Sequence, residues 1–251
     1  MNAFLEFALE AIWQAGQLTL GYFQTGVGVE RKADNSPLTI ADKQAEELLR
    51  RLIQERWPDH GILGEEYGRS PTRARYTWVI DPIDGTKSFI CGVPLYANLL
   101  ALLDGDEAIV GVSHFPALHE TVYAAKGEGA FWNGRRAHVS EVEKLEDAVV
   151  LSSELNYFKE VGKAENWQRL LDATYIQRTW GDAYGYALVA TGRAEVMADV
   201  TMNLWDCAPW QVILEEAGGT FTDWRGVATI HGGDSVATNG RLYKQVMELI
   251  Q

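Results

Sequence analysis

Apolar positions recur along the chain with two periods. Between residues 4 and 23 they fall at Phe4, Phe7, Ala8, Ala11, Ile12, Ala15 and Leu18, the spacing of a helix that lays one face on a core. Residues 39–56 read as a second helix, with Thr39 as its cap and Trp57-Pro58 as its stop. The turn-rich ADNSP (33–37) between them reads as a flexible connector. Strand-like runs at 95–103, 108–115 and 120–125, separated by Asp104-Gly105 and Pro116-Ala117, predict an antiparallel sheet. Residues 145–152 and 174–179 read as further strands, whereas 182–191 and 206–217 read as helices, the second stopped by Gly218-Gly219. The second half is therefore mixed α/β. Polar SEVEK (140–144) sets a boundary near residue 142, giving an N-terminal subdomain (1–142) and a C-terminal one (143–251) without a long linker.

One apolar run ends in chemistry. Thr77, Trp78, Val79 and Ile80 lead into Asp81, after which Pro82 is expected to end ladder pairing and Gly85 to allow a turn that most residues could not make. Asp81 and Asp84 would repel one another unless a cation lay between them, and hard oxygen donors with room for water suit magnesium better than zinc. The same residue types also make ordinary turns. Two other acidic clusters are placed to converge on this one: Gly64-Glu65-Glu66 after Ile62-Leu63, and Trp205-Asp206 ahead of an apolar helical pattern.

Composition narrows the classes. A chain of 251 residues can bury a sizeable core as one large domain or two intimate subdomains. Cys91 and Cys207 are too few for a disulfide framework, and a reduced compartment is expected. The start MNAFLEFALEAIWQ lacks the basic, then apolar, character of a secretory signal and no run would span a membrane, so cytoplasmic residence is the expectation. A net charge of −13 opposes nucleic acid and anionic membranes as partners, whereas bound magnesium would reverse the local sign for an anionic substrate. The five histidines show no zinc-site spacing, and no Walker-type loop is present. Gly127-x-Gly129 with Asn133-Gly134 reads as a hairpin turn rather than a nucleotide fingerprint.

In order and spacing, GEE (64–66), DPIDGT (81–86) and WD followed by EAGG (205–206, 216–219) resemble the inositol monophosphatase-like family of magnesium-dependent phosphatases. Thr39-x-x-Asp42, GEGAFWNG (127–134) and GDAYGYALVATGRAEVMAD (181–199) extend the resemblance over nearly the whole chain. DPIDGTKSFI (81–90), with Ser88-Phe89 where inositol-phosphate enzymes more often have Asn before Phe, is most similar to the histidinol-phosphate phosphatase branch. SHFPALHETVYAAKGEGAFWNG (113–134) points the same way, and Pro209-Trp210 in WDCAPW departs from the commoner WD-x-A-A-G.

The resemblance implies an α+β fold, a layered αβαβα sandwich of the type shared by inositol monophosphatases and fructose-1,6-bisphosphatases. It implies that Glu65, Asp81, Asp84, Asp206 and the Ile83 carbonyl hold two or three magnesium ions, with a catalytic part for Glu65, and that water attacks in line without a phosphoenzyme. Thr86 would orient that water and pass its proton toward Asp42, because a hydroxyl donates and accepts at once; it is equally a turn or cap residue. Backbone amides at Gly85 and Thr86 would bind phosphate, while Lys87 is either a phosphate contact or a solvated charge. Lys32 and its loop would close over the site. For a substrate bearing ammonium and imidazole groups, Asp182 and Asp199 are candidates for amine recognition, Asp182 being also a helix cap candidate; Trp180 and Tyr184 would face the ring or pack in the core. The implied activity is hydrolysis of the small phosphate monoester L-histidinol phosphate by a lithium-sensitive homodimer. Inositol monophosphate or 3′-phosphoadenosine 5′-phosphate are the alternative substrates, and a noncatalytic metabolite-binding protein is the alternative of another class.

Overall fold

The computed structural model describes residues 2–71 and 74–251. Helix α1 (Ala3–Tyr22) starts where the Asn2 side chain accepts from Leu5 N at 2.9 Å. The expected connector after it is instead a hairpin of β1 (Val29–Arg31) and β2 (Pro37–Thr39). Its turn is closed by Lys32 N donating to Ser36 O at 2.9 Å and by Asp34 Oδ1 accepting from Ser36 N at 3.0 Å, local bonds that give the polar segment one conformation. Helix α2 (Ile40–Arg56) opens on a capping box in which Thr39 and Asp42 bond one another's backbone and side chain.

Next come β3 (Gly61–Gly64), β4 (Gly68–Arg69), β5 (Tyr76–Asp84), the single turn α3 (Thr86–Ile90), β6 (Ala97–Asp104), β7 (Glu107–Phe115), β8 (Glu120–Ala125), β9 (Gly129–Trp132) and β10 (Arg135–Arg136). They form an eight-stranded sheet ordered β10-β9-β8-β7-β6-β5-β3-β4, antiparallel except where β3 runs parallel to β5. Asn133 and Gly134, both at positive φ, make the two-residue turn between β9 and β10, the hairpin that the glycine-rich segment predicts.

The second half supplies β11 (Val149–Leu151), α4 (Leu155–Glu160), α5 (Ala164–Asp172), β12 (Ile176–Arg178), α6 (Ala183–Ala190), β13 (Val196–Asp199), α7 (Leu204–Glu216), β14 (Thr220–Thr222), β15 (Ser235–Thr238) and α8 (Tyr243–Ile250). The strand expected at 145–152 is shorter, because Leu145–Asp147 form a tight helical turn closed by Ala148 N on Leu145 O. The five strands order as β12-β11-β13-β15-β14, with parallel pairing only around β11.

Strand β6 shows why the layers stack. Leu100 and Leu102 pack with Leu5, Ile12, Leu49 and Ile53 of α1 and α2, while Leu99, Ala101 and Leu103 point oppositely, toward Tyr186, Trp210 and Ile213 of α6 and α7. A strand buried on both faces reads as continuous apolar sequence, so its period of two is invisible until both partners are known. Beyond α6 and α7 lies the small sheet, and Trp167 and Leu170 of α5 and Val246 and Ile250 of α8 cover its other face. The result is the layered αβαβα sandwich. Both cysteines are free, and among the described residues no helix is long and apolar enough to cross a membrane.

Two prolines mark local departures from regular structure, the first of them against expectation. Strand β5 does not end at Asp81: pairing resumes at Asp84, opposite Ala97, after a bulge at Pro82-Ile83. Proline contributes no ladder N–H, but its carbonyl is taken by the buried Asn98 side chain of β6, so the interruption is absorbed inside the sheet. Pro209 lies within α7, where it forgoes one helical hydrogen bond. There the helix meets Gly111 of β7 so closely that a Cβ on that glycine would sit 2.3 Å from Pro209 O. Gly111→Ala is therefore expected to cost about 1–3 kcal/mol of stability through overpacking. Thermal unfolding measures it, and an unchanged midpoint would show that α7 yields freely.

Candidate active site

The bulge in β5 sets the geometry. Asp81 lies before it and Asp84 after it, while the first turn of α7 brings Asp206 from the other half of the chain. One carboxylate oxygen from each lies within 4.8 Å of the others. They line a cleft of about 440 Å³ together with Glu65, Ile83, Gly85 and Thr86. Asp81 is buried, whereas Asp84 and Asp206 keep part of their surface open. The three acidic clusters of the sequence do converge.

Each carboxylate is held by its own element. Asp206 Oδ2 accepts from Asn203 N at 2.7 Å in a second capping box, and Asp84 Oδ2 accepts from Ala183 N at the start of α6. Glu65 accepts from Lys32 Nζ at 2.7 Å, and Lys32 donates equally to Glu66. Burial opposes the Lys32 charge, but these two partners override it and hold the ammonium above the ordinary lysine value. The turn carrying Glu65 and Glu66 rests on Glu46, a fully buried carboxylate that accepts from Glu66 N and Tyr67 N and pairs with Arg50 at 2.7 Å. Gly64 is required there, since a Cβ would lie 2.0 Å from Glu46 Oε1.

Burial and mutual repulsion shape the electrostatics. Desolvation, then the charges of Glu65, Asp84 and Asp206, push Asp81 well above the ordinary carboxylate value. Desolvation, then Asp182 and Asp206, do the same to Asp84. Burial lifts Asp206 to about 7 against the bond from Asn203, and lifts Glu66 to about 7 against the bond from Lys32. A donor set of clustered carboxylate oxygens, each destabilised as an anion by its neighbours, fits a hard divalent cation, with Glu65, Asp81, Asp84, Asp206 and the Ile83 carbonyl as the residues that would hold it.

Thr86 Oγ1 donates to Ile83 O at 3.0 Å and approaches Asp42 Oδ1 at 3.4 Å. Asp42 is fully buried on α2, its other oxygen accepts from both Thr39 N and Thr39 Oγ1, and desolvation raises its pKa against those bonds. Gly85, at φ +79°, precedes α3 and abuts Asp182, whose Oδ2 would lie 2.9 Å from a Cβ on that glycine.

Asp182 and Asp199 both line the outer cleft. Asp182 stands at the N-cap position of α6, as the sequence suggests, but its side chain makes no capping bond there, and burial raises its pKa. Asp199 accepts from Ser153 N and Ser153 Oγ at 2.9 Å each and from Tyr186 OH at 3.0 Å; burial nonetheless lifts it to about 6. Lys87 is bonded to Glu154 at the start of α4. Trp180 and Tyr184 are not among the described residues lining the cleft: Trp180 is exposed beside Arg178, and Tyr184 bonds Glu120 and Arg193 on the far side of α6. No histidine lines it either.

Sequence reasoning passed over Glu46, Asn98, Ser153, Glu154 and Asn203. Glu46 left a signal, standing four residues after Asp42 on the face of α2 otherwise formed by Ala41, Ala45, Leu49 and Ile53. An acid inside an apolar stripe needs buried partners.

Residues 1–251 match the inositol monophosphatase family. A histidinol-phosphatase of Chlorobaculum parvum is 41% identical over 252 residues, spanning 100% of this chain and 97% of that protein. The structure is similar to an inositol monophosphatase of Thermotoga maritima, with a TM-score of 0.90 and 31% identity over 98% of this chain and 96% of the other. It is also similar to the extragenic suppressor protein suhB of Bartonella henselae, with a TM-score of 0.94 and 25% identity over 100% and 99% of the two chains.

Raised carboxylate pKa values set a sign for stability. Between the unfolded value of 3.8 and about 7, Asp206 binds more protons folded than unfolded, so its contribution is full below 3.8 and is lost as pH rises to about 7. In a chelator, the unfolding midpoint is expected to fall as pH rises from about 4 to about 8, and magnesium to flatten that slope. Calorimetric scans across pH, with and without magnesium, check it.

Proposed function

Because the chain belongs to the inositol monophosphatase family, we propose that it is a magnesium-dependent phosphomonoesterase hydrolysing L-histidinol phosphate to L-histidinol and phosphate. The observation that carries the substrate reading is the charge of the cleft. Among the described residues lining it are seven carboxylates and one basic side chain, Lys87. Glu65, Asp81, Asp84 and Asp206 are assigned to two or three magnesium ions. That leaves Glu154, Asp182 and Asp199 facing a leaving group, which suits an alcohol bearing ammonium and imidazole better than a neutral polyol. The likeness to the Chlorobaculum histidinol-phosphatase supports the same choice.

Glu65, Asp81, Asp84, Asp206 and the Ile83 carbonyl would hold magnesium, which when bound would supply the positive charge to polarise the phosphoryl group, acidify nearby water and steady the departing alkoxide. Thr86 orients the attacking water through its hydroxyl, which donates toward Ile83 O or Asp42 and accepts from the water. The water's proton passes by way of Thr86 to Asp42, whose raised pKa makes it a better acceptor than an exposed carboxylate. Glu65, steadied by Lys32, lines the same cleft and would act on the water there. Gly85 and Thr86 offer backbone N–H groups to the phosphate, with no side chain at Gly85 to keep it away. The water oxygen bonds to phosphorus as the ester P–O bond breaks, the departing alkoxide takes a proton from solvent water to become the alcohol, and Asp182 and Asp199 retain the cationic alcohol until it leaves. Division into subdomains at residue 142, lithium sensitivity, a homodimeric state and cytoplasmic residence belong to the same reading.

Phosphate release in magnesium from histidinol phosphate, inositol 1-phosphate and 3′-phosphoadenosine 5′-phosphate tests it. The expected result is a kcat/KM for histidinol phosphate at least about tenfold above the others, lost by more than about 100-fold in Asp84→Asn with the circular dichroism unchanged. Preference for another ester overturns the substrate, and inactivity on all three favours a noncatalytic binding protein.

A further inference from the structure

Lys87 does more than carry a solvated charge. Its ammonium is bonded to the Glu154 carboxylate, lies 3.4 Å from Tyr157 OH and sits 5.4 Å from the centroid of the Tyr157 ring. Lys87, Glu154 and Tyr157 all line the cleft, with Asp182 close enough that Lys87 and Glu154 both act on its titration. A carboxylate set beside an aromatic face is the chemistry that binds an organic cation, and here it already holds one. The hold is loose. The Lys87 side chain is 57% exposed and that of Glu154 37%, and ion pairs so exposed exchange readily with other partners.

The neighbouring acid is less available. Asp199 already accepts three hydrogen bonds, from Ser153 N, Ser153 Oγ and Tyr186 OH, and those donors are part of the cleft wall rather than mobile chains. Glu154 gives up only a flexible lysine when it takes a new cation. Ser153 ties the two together, since the residue that anchors Asp199 immediately precedes Glu154.

Resting on the phosphomonoesterase reading above, we propose that Glu154 and Tyr157 form the subsite for the cationic end of an amine- or imidazole-bearing phosphate ester, and that Lys87 is its exchangeable placeholder. The incoming cation takes the place of the Lys87 ammonium against the carboxylate and the ring. Lys87 thereby lowers affinity for cationic alcohols while keeping Glu154 compensated in the free protein.

Glu154→Gln and Lys87→Met break the same ion pair from its two ends, so a pair that merely braces α3 against α4 would respond alike to both. The subsite predicts opposite responses. Calorimetric titration of the full-length protein with L-histidinol should give a Kd about tenfold weaker in Glu154→Gln and several-fold tighter in Lys87→Met. KM for histidinol phosphate should move in the same two directions. Shifts of the same sign, no shift in either variant, or no binding of L-histidinol to the unaltered protein would overturn the proposal. The substrate reading fails separately, if the unaltered protein prefers inositol 1-phosphate while the two variants still move L-histidinol affinity in opposite directions.

Discussion

Held within 4.8 Å, the carboxylates of Asp81, Asp84 and Asp206 repel one another, and the burial of Asp81 removes much of the water that would screen them. Left to themselves such groups would take up protons or move apart. The surrounding structure prevents the second. Asp81 and Asp84 are fixed by a bulge in the interior of an eight-stranded sheet, and the Asn98 side chain occupies the carbonyl that the bulge leaves unpaired. Asp206 is tied to the start of α7 by its bond from Asn203, and α7 is pressed onto the same sheet where Gly111 meets Pro209. The unfavourable electrostatics are concentrated at one point and opposed by packing everywhere around it.

The same division of labour extends outward. Asp42 and Glu46, four residues apart on α2, turn an otherwise apolar face into a polar support, one receiving the Thr86 hydroxyl and the other the turn that bears Glu65. Both are completely buried, and both have backbone or charged partners for their oxygens, which is what makes their burial tolerable. Farther out, the exposed Lys87 is loosely paired with the half-buried Glu154 and Tyr157. Rigid support beneath the reacting centre and exchangeable contacts at the mouth suit a phosphatase that keeps its chemistry fixed while its leaving group selects the substrate.

Much of this was legible in the chain. The helical period of residues 4–23 and the cap at Thr39 placed α1 and α2, because local hydrogen bonds and one-sided burial act within a few residues. The acidic segments around Glu65, Asp81 and Asp206 were recognisable as one site through their order along the chain. The bulge was not: Pro82 looks like a strand terminator until Asn98, sixteen residues away, is known to satisfy its carbonyl. The hairpin at 29–39 was hidden for a similar reason, since its sequence is polar and its order comes from bonds within the turn and from Lys32 reaching Glu65 and Glu66. Tyr184 and Asp182 show the limit of neighbourhood in sequence. They are two residues apart, yet one lines the cleft and the other points to Glu120 across the helix.

The most direct measurement is an anomalous-scattering map from crystals of the protein soaked in manganese as a magnesium substitute. The account predicts manganese peaks coordinated by Asp81, Asp84 and Asp206, with Glu65 and the Ile83 carbonyl completing the set. Saturating manganese that leaves those carboxylates without a peak, or that binds only elsewhere, would contradict it.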